Sequence, residues 1–120
     1  MDTRAADSLN PESVVQRQLD AYNARDLEGF LASFGEEVRV YRPPATDFAL
    51  VGKAAIGSFY AMPRFNRAGL HADVLNRVVL GNKVIDHERI SGVGERPFEV
   101  VIVYEVIDER IRRVWTFSAE

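Results

Sequence analysis

Cysteine is missing from the sequence, and histidine occurs only twice, at His71 and His87. Without cysteine the chain can form no disulfide framework, no zinc–thiolate site and no cysteine nucleophile. His71 and Asp73 share one predicted strand face, but no third ligand accompanies them, so we expect no metal. Glycine patterns of phosphate loops are also missing, and we expect no organic cofactor. No apolar run approaches the roughly 18 residues that predict a membrane-spanning helix, so no membrane partner is expected.

The charge balance excludes another class of function. The chain has 15 Lys plus Arg against 18 Asp plus Glu, which gives a formal net charge of −3. Because phosphate binding needs a concentrated basic surface, nucleic acid is not expected as the main partner. Residues 1–9 lack the apolar segment of a secretory signal, so we expect a flexible N-terminus and a cytoplasmic location. With 47 % hydrophobic residues, residues 10–120 predict one domain with a single core and one pocket.

Helix signals dominate the first half of the chain. Asn10 before Pro11 is typical of a helix start, and apolar residues at helical spacing carry this first helix to about Tyr22. Asp26 can cap a second helix, which Gly35 would end.

The prolines and the alternating segment that follow predict a change of structure. Val38–Arg42 alternates like a strand, and residues 45–47 are expected in a loop after Pro43-Pro44. Residues 52–62 then predict a third short helix, which Pro63 stops.

Strand patterns fill the second half of the chain. Turn residues at 81–82, 92–94 and 108–109 divide residues 70–118 into four strands, joined as an antiparallel meander. Helices followed by strands predict the α+β class.

These turns also predict which strand residues share a face. A two-residue turn at 81–82 places His87 opposite Asn76, and Asp86 opposite Arg77 as an exposed ion pair. The same counting, continued through the next two turns, predicts a mostly apolar interior face. That face contains Ala72, Val74, Asn76, Val78, Ile85, His87, Phe98, Val100, Ile102, Tyr104, Val106, Ile111, Arg113, Trp115 and Phe117.

Polar side chains on this apolar face are the candidates for chemistry, because unpaired buried polar groups cost about 1–3 kcal/mol each. His87 is the expected proton-transfer group, since the intrinsic pKa of histidine is about 6.5. Tyr104 is expected to polarise a carbonyl or hydroxyl group, and Asn76 to orient it. The counting places His87 opposite Ile102, and Tyr104 opposite Arg113. The residues expected to shape the pocket are Gln18, Tyr22, Tyr41, Tyr60, Ile85, Ile102, Arg113 and Trp115.

Several of these residues have a purely structural alternative. His87 and Asn76 can bond to each other within the core without any function. Trp115 can be a packing residue, and Arg113 can lie at the exposed rim of the sheet.

Four stretches together resemble one known family. They are Val15–Phe30, Val38–Tyr41 before two prolines, Gly52–Ile56 leading to Phe59-Tyr60, and Ile111–Trp115. They resemble the SnoaL-like and steroid delta-isomerase-like proteins of the nuclear transport factor 2-like superfamily. The resemblance implies a cone-shaped α+β barrel, in which a curved antiparallel sheet wraps around the N-terminal helices. It also implies homodimers through the convex sheet face, where the counting places Val101, Val103 and Val114.

The same resemblance bears on the chemistry. Ketosteroid isomerases of this superfamily use a base and two oxyanion-hole donors, and the matching positions here are Arg42, Gln18 and Val100. Because these residues depart from the required groups, ketosteroid isomerisation is not the expected reaction. Some dehydratase-like members place a catalytic histidine on the second strand of the meander, which is the position of His87.

Three functions are therefore compatible with the sequence. The leading hypothesis is an enzyme of the isomerase, dehydratase or hydrolase type, which acts on a small, apolar, oxygenated substrate by cofactor-free acid–base chemistry. The alternatives are a small-ligand-binding protein without catalysis, and a dimeric protein-interaction module.

Overall fold

The computed structural model describes residues 10–61 and 64–119. It confirms the α+β class and the three predicted helices and four C-terminal strands. In chain order the elements are α1 (Pro11–Asn23), α2 (Leu27–Ala32), β1 (Phe34–Tyr41), β2 (Phe48–Val51), α3 (Lys53–Ala61), β3 (His71–Leu80), β4 (Lys83–Ser91), β5 (Phe98–Ile107) and β6 (Arg110–Ser118). The N-terminus expected to be flexible, residues 1–9, and the predicted helix stop at Pro63 lie outside the described residues.

The first two helices begin where their capping residues predict. The Asn10 side chain accepts a hydrogen bond from the backbone N–H of Ser13 at 2.8 Å, and that of Asp26 accepts one from Gly29 at 3.0 Å. Helix α2 ends before the predicted Gly35, because Phe34 already belongs to β1 and pairs with Ile111. Tertiary pairing thus overrides the helical spacing of Phe34.

The six strands form one open sheet in the order β2-β1-β6-β5-β4-β3. Among the described strands, β1 and β6 pair in parallel and all other neighbours are antiparallel. The sequence pattern does not predict β2, a four-residue edge strand after the prolines. Curvature of this sheet, rather than closure into a full barrel, makes the fold cone-like.

The predicted register is right near the turn between β3 and β4, but it shifts by one residue at Val74–Asn76 and is wrong on the other side of β4. Between β3 and β4, His87 pairs with Asn76 as predicted. Residues 92–97 form a longer connection than the predicted four-residue turn, and His87 consequently pairs with Val101 instead of Ile102. Between β5 and β6 the pairing shifts at residues 105–106, so Tyr104 pairs with Val114 instead of Arg113.

These one-residue shifts reverse the predicted faces of β4 and of residues 112–118 of β6, whereas Ile111 is buried in the core as predicted. On β4 the side chains that point toward the helices are Val84, Asp86, Glu88 and Ile90, all of them buried. Val101 and Val103 lie on the outer face of the sheet as predicted, whereas Val114 is 7 % exposed and belongs to the core.

The core lies between the helices and the concave face of the sheet. Phe30 is its centre and contacts the rings of Tyr22, Phe34, Tyr60 and Phe65, with centroids 4.9 to 6.0 Å away. These edge and tilted ring contacts fix α2, α3 and the segment after α3 against α1. No helix in the described part of the chain is long and apolar enough to cross a bilayer.

Candidate functional site

A cavity of about 90 Å³ lies between α1 and the concave face of the sheet. A smaller compartment of about 40 Å³ adjoins it and shares the side chains of Gln18, Tyr60 and Tyr104. The larger space is lined by Gln18, Leu19, Tyr22, Arg42, Tyr60, Arg64, Ala72, Glu88, Ile90, Phe98, Val100, Ile102, Tyr104 and Thr116. Apolar walls with a few converging polar groups are the usual form of a small-molecule site.

Glu88 is the carboxylic acid of this cavity. Its side chain is buried at 3 % exposure, and Tyr104 donates a hydrogen bond from its hydroxyl to Oε2 of Glu88 at 3.4 Å. Burial first, and then the charge of Asp86, raise the pKa of Glu88 to about 8, against the lowering effect of the hydrogen bond from Tyr104. Glu88 is therefore mostly protonated at neutral pH, with a minor carboxylate fraction.

Asp86 lies on the same face of β4 and is fully buried, but its charge is paired. The guanidinium of Arg77 donates to both carboxylate oxygens, from Nε at 2.7 Å and from Nη2 at 2.9 Å. Arg77 also donates to Gln16 of α1 at 2.9 Å. The bidentate pair satisfies the buried charge and connects the sheet to the helix.

Three tyrosine hydroxyls accompany Glu88 in the cavity. Burial raises the pKa of Tyr22 to about 12, against the lowering effect of Arg64, and burial also raises the pKa values of Tyr60 and Tyr104. All three phenols are thus protonated across the physiological pH range and can donate hydrogen bonds to a substrate oxygen.

Gln18 of α1 presents an acceptor that nothing satisfies. Its side chain is 6 % exposed, and its Oε1 has no hydrogen-bond partner among the described residues. A buried polar atom without a partner is costly, and a ligand hydroxyl or N–H in the cavity would satisfy it.

The structure brings several predicted pocket residues together in the cavity. Gln18, Tyr22, Tyr60, Ile102 and Tyr104 all line it. Arg42 and Val100, the other positions that match the ketosteroid isomerase base and acid, line it as well.

The two remaining predicted catalytic residues lie on the other side of the sheet. His87 and Asn76 pair on the outer face, where Nε2 of His87 is 2.7 Å from Oε1 of Glu99. The prediction that they face the interior is wrong, because β4 alternates its faces in the opposite sense to the counted register.

Four predicted pocket residues lie on the outer face for similar reasons. Ile85 follows the reversed alternation of β4, while Arg113 and Trp115 are displaced by the shift at residues 105–106. Arg113 instead donates to Glu105 at 2.8 Å. Tyr41 stacks on Trp115, with centroids 5.4 Å apart, and so lies outside the cavity too.

Arg64 of the cavity wall is missing from the sequence interpretation, which also misplaced Glu88 and Asp86. The counting assigned both to the exterior and made the pair of Asp86 with Arg77 a surface contact. One signal in the sequence favours the observed inner face of β4. The even positions begin and end with the apolar residues Val84 and Ile90, whereas the odd positions include the charged residues Lys83 and Arg89. Charged residues at both ends of a strand face are a better indication of solvent than an acid in its middle.

The described residues contain no group of three or more His, Cys, Asp or Glu side chains arranged to hold a metal ion. His71 and Asp73 do contact each other, at 3.0 Å, on an exposed part of β3.

The fold is an α+β cone with a lined cavity, and comparison of the sequence with known families identifies the family. The family model of the SnoaL-like domain matches residues 15–114, so the chain belongs to the SnoaL-like family. No curated protein matches the sequence significantly.

Solved structures share the fold at low sequence identity. An uncharacterised cystatin-fold protein of Novosphingobium aromaticivorans is 20 % identical, with a TM-score of 0.78, over 91 % of this chain and 98 % of that one. A candidate ketosteroid isomerase of Kribbella flavida is 22 % identical, with a TM-score of 0.77, over 92 % and 78 %. An epoxide hydrolase of Mycobacterium tuberculosis, of the LEH-like type, is 17 % identical, with a TM-score of 0.77, over 90 % and 81 %.

Proposed function

We propose that the cavity is the active site of a small-molecule enzyme of the isomerase, dehydratase or hydrolase type. It acts by cofactor-free acid–base chemistry on an apolar, oxygenated substrate. The observation that carries this proposal is the buried carboxyl group of Glu88, which faces the cavity next to the hydroxyl of Tyr104 at 3.4 Å.

Glu88 takes the proton-transfer role for which the sequence had indicated His87. With a pKa of about 8, its carboxyl group is available in both protonation states near neutral pH. In the acid form it can protonate a leaving or carbonyl oxygen, and in the base form it can accept a proton from carbon or from water.

The neighbouring groups orient the substrate. Tyr104 and Tyr60 supply protonated hydroxyls that can stabilise negative charge on a substrate oxygen. The free Oε1 of Gln18 can accept a hydrogen bond from a substrate hydroxyl. Because the acid comes from β4 and Arg42 occupies the matching base position after β1, ketosteroid isomerisation is not the proposed reaction.

Three six-carbon rings test the proposed reaction types. Cyclohex-3-enone reports isomerisation to the conjugated ketone, 3-hydroxycyclohexanone reports loss of water, and cyclohexene oxide reports hydrolysis to the diol. We expect the wild type to turn over at least one of them, and Glu88→Gln to lower that rate by about 10² to 10⁴, the usual contribution of acid–base catalysis.

Matched controls separate the cavity from the outer face. Glu99→Gln makes the same change at an exposed position on β5. His87→Gln removes the ion-pair partner of Glu99. Both variants should retain the wild-type rate. Turnover that survives in folded Glu88→Gln contradicts the proposal. So does a wild type that turns over neither these three compounds nor their ring-carboxylate derivatives.

The outer face of the sheet supports a proposal about assembly. Val78 and Phe117 are 51 % and 40 % exposed there, beside the half-buried Val101 and Val103. Burial of such an apolar surface against a second copy would stabilise a homodimer. Sedimentation velocity at micromolar concentration should show a dimer that Val103→Glu dissociates, and a monomeric wild type would contradict it.

A further inference from the structure

Two arginines stand where the cavity opens to solvent. Arg42 follows β1 and is exposed, while Arg64 follows α3 and is half-buried; both line the cavity. Their guanidinium carbons lie 5.5 Å and 5.3 Å from the centre of the same ring, that of Phe59. Arg64 is also 5.9 Å from the ring centre of Tyr60. The shared aromatic contacts hold both positive charges at one end of the cavity.

These two charges have no counterion in the part of the chain that the structure describes. Arg77, Arg89 and Arg113 each form an ion pair with a carboxylate, whereas neither Arg42 nor Arg64 does. Glu88 is the only acidic side chain in the described cavity wall, and it is mostly protonated at neutral pH. The cavity is therefore positively charged when it is empty.

The remaining lining residues are suited to an uncharged, apolar part of a ligand. Leu19, Ile90, Val100 and Ile102 supply apolar surface to the same cavity. A ligand that satisfies the whole cavity has an apolar part against these residues and an anionic group at the arginines.

We infer that the substrate is a small organic acid whose carboxylate is bound by Arg42 and Arg64 at the open end of the cavity. The planar guanidinium group matches the two oxygens of a carboxylate and can bind them through paired hydrogen bonds. This inference deepens the proposed function and rests on it. The proposed function assigns the reaction to Glu88, and the inference assigns binding of the substrate's carboxylate to the arginines. It makes Arg42 and Arg64 specificity-determining residues.

Binding of matched probes tests the inference without any turnover. Cyclohexanecarboxylate and cyclohexanecarboxamide have the same ring and nearly the same shape, and they differ in charge. By isothermal titration the carboxylate should bind at least about tenfold more tightly than the amide, as expected for one charge-assisted hydrogen bond. The carboxylate should also shift the Nε–Hε signals of both arginines in nitrogen-15 NMR spectra.

The variants are matched in charge and in type of contact. Arg42→Gln and Arg64→Gln should each reduce the preference for the carboxylate, and the double variant should abolish it. Arg39→Gln removes a guanidinium that lies 4.9 Å over the ring of Phe48 on the outer face, and it should leave the preference intact. Circular dichroism confirms that each variant is folded.

The outcomes separate this inference from the proposed reaction. Equal affinity for acid and amide, no saturable binding of the acid, or tight binding of cyclohexyl phosphate alone would overturn it. Glu88→Gln should retain the preference for the carboxylate while losing turnover. If the preference holds but the wild type turns over no compound, the proposed catalysis fails and the acid-binding site remains.

Discussion

Replacing Glu88 with glutamine is expected to remove a pH dependence from the stability of the fold. In the folded protein Glu88 holds its proton up to a pH of about 8, whereas the pKa of an ordinary glutamate is 4.5. Between these two values the unfolded chain binds fewer protons than the folded one. Stability from this group is therefore complete below about pH 4.5 and is lost progressively as the pH rises through 8.

The size of the effect follows from the two pKa values. Inside the window the free energy of unfolding falls by about 1.4 kcal/mol per pH unit, and the whole difference corresponds to about 5 kcal/mol. Between pH 5 and pH 7 alone, the expected loss is about 2 to 3 kcal/mol. Glutamine is neutral at every pH and has nearly the same shape. From pH 5 to pH 7 the free energy of unfolding of Glu88→Gln should therefore rise by this amount relative to that of the wild type.

Urea unfolding, followed by far-ultraviolet circular dichroism at pH 5, 6, 7 and 8, measures this difference. All other titrating groups are common to both proteins, so the comparison at each pH isolates the contribution of Glu88 together with its coupling to Asp86 and Tyr104. Glu36→Gln is the control, because it makes the same substitution at a side chain that is 85 % exposed. A difference between Glu88→Gln and the wild type that stays constant from pH 5 to 8 would refute the raised pKa.

Two other substitutions have opposite expected effects on stability. Gln18→Leu removes the unpartnered buried oxygen and should raise the free energy of unfolding, measured by urea unfolding, by about 1 kcal/mol. A clear loss of stability would contradict the conclusion that this oxygen has no hydrogen-bond partner. Asp86→Asn leaves the guanidinium of Arg77, 13 % exposed, without its buried counterion and with only the exposed Glu12 at 3.6 Å, and should cost about 3–5 kcal/mol in the same measurement. The double change Asp86→Leu with Arg77→Met should recover most of that loss, and a loss under about 1 kcal/mol for Asp86→Asn would contradict the pairing.

Much of the fold could be predicted because its signals are local. Asn10 and Asp26 cap their helices through contacts three residues away, which sequence spacing reveals directly. The hairpin turn at 108–109 has two non-glycine residues with positive φ, 53° and 62°, and still lies where the polar pair predicts. The edge strand β2 has no such signal, since four residues that pair along one side carry no recognisable period.

The site was only half predictable, because its two walls depend on sequence in different ways. Gln18 and Tyr22 lie on α1, where an error of one residue rotates a side chain by about 100° and leaves the helix face recognisable. On a strand the same error turns every side chain to the opposite face. A longer connection at 92–97 thus moved His87 out of the predicted pocket and brought Glu88 into it.

The stacked pair of Tyr41 and Trp115 has a practical consequence for spectroscopy. Trp115 is the only tryptophan in the chain, and its ring lies within 10° of parallel to that of Tyr41, on the face opposite the cavity. Its fluorescence is therefore a natural optical label for the outer surface. A change of this emission with protein concentration would report contact between copies. A small molecule bound near Glu88 would leave the wavelength of maximum emission unchanged.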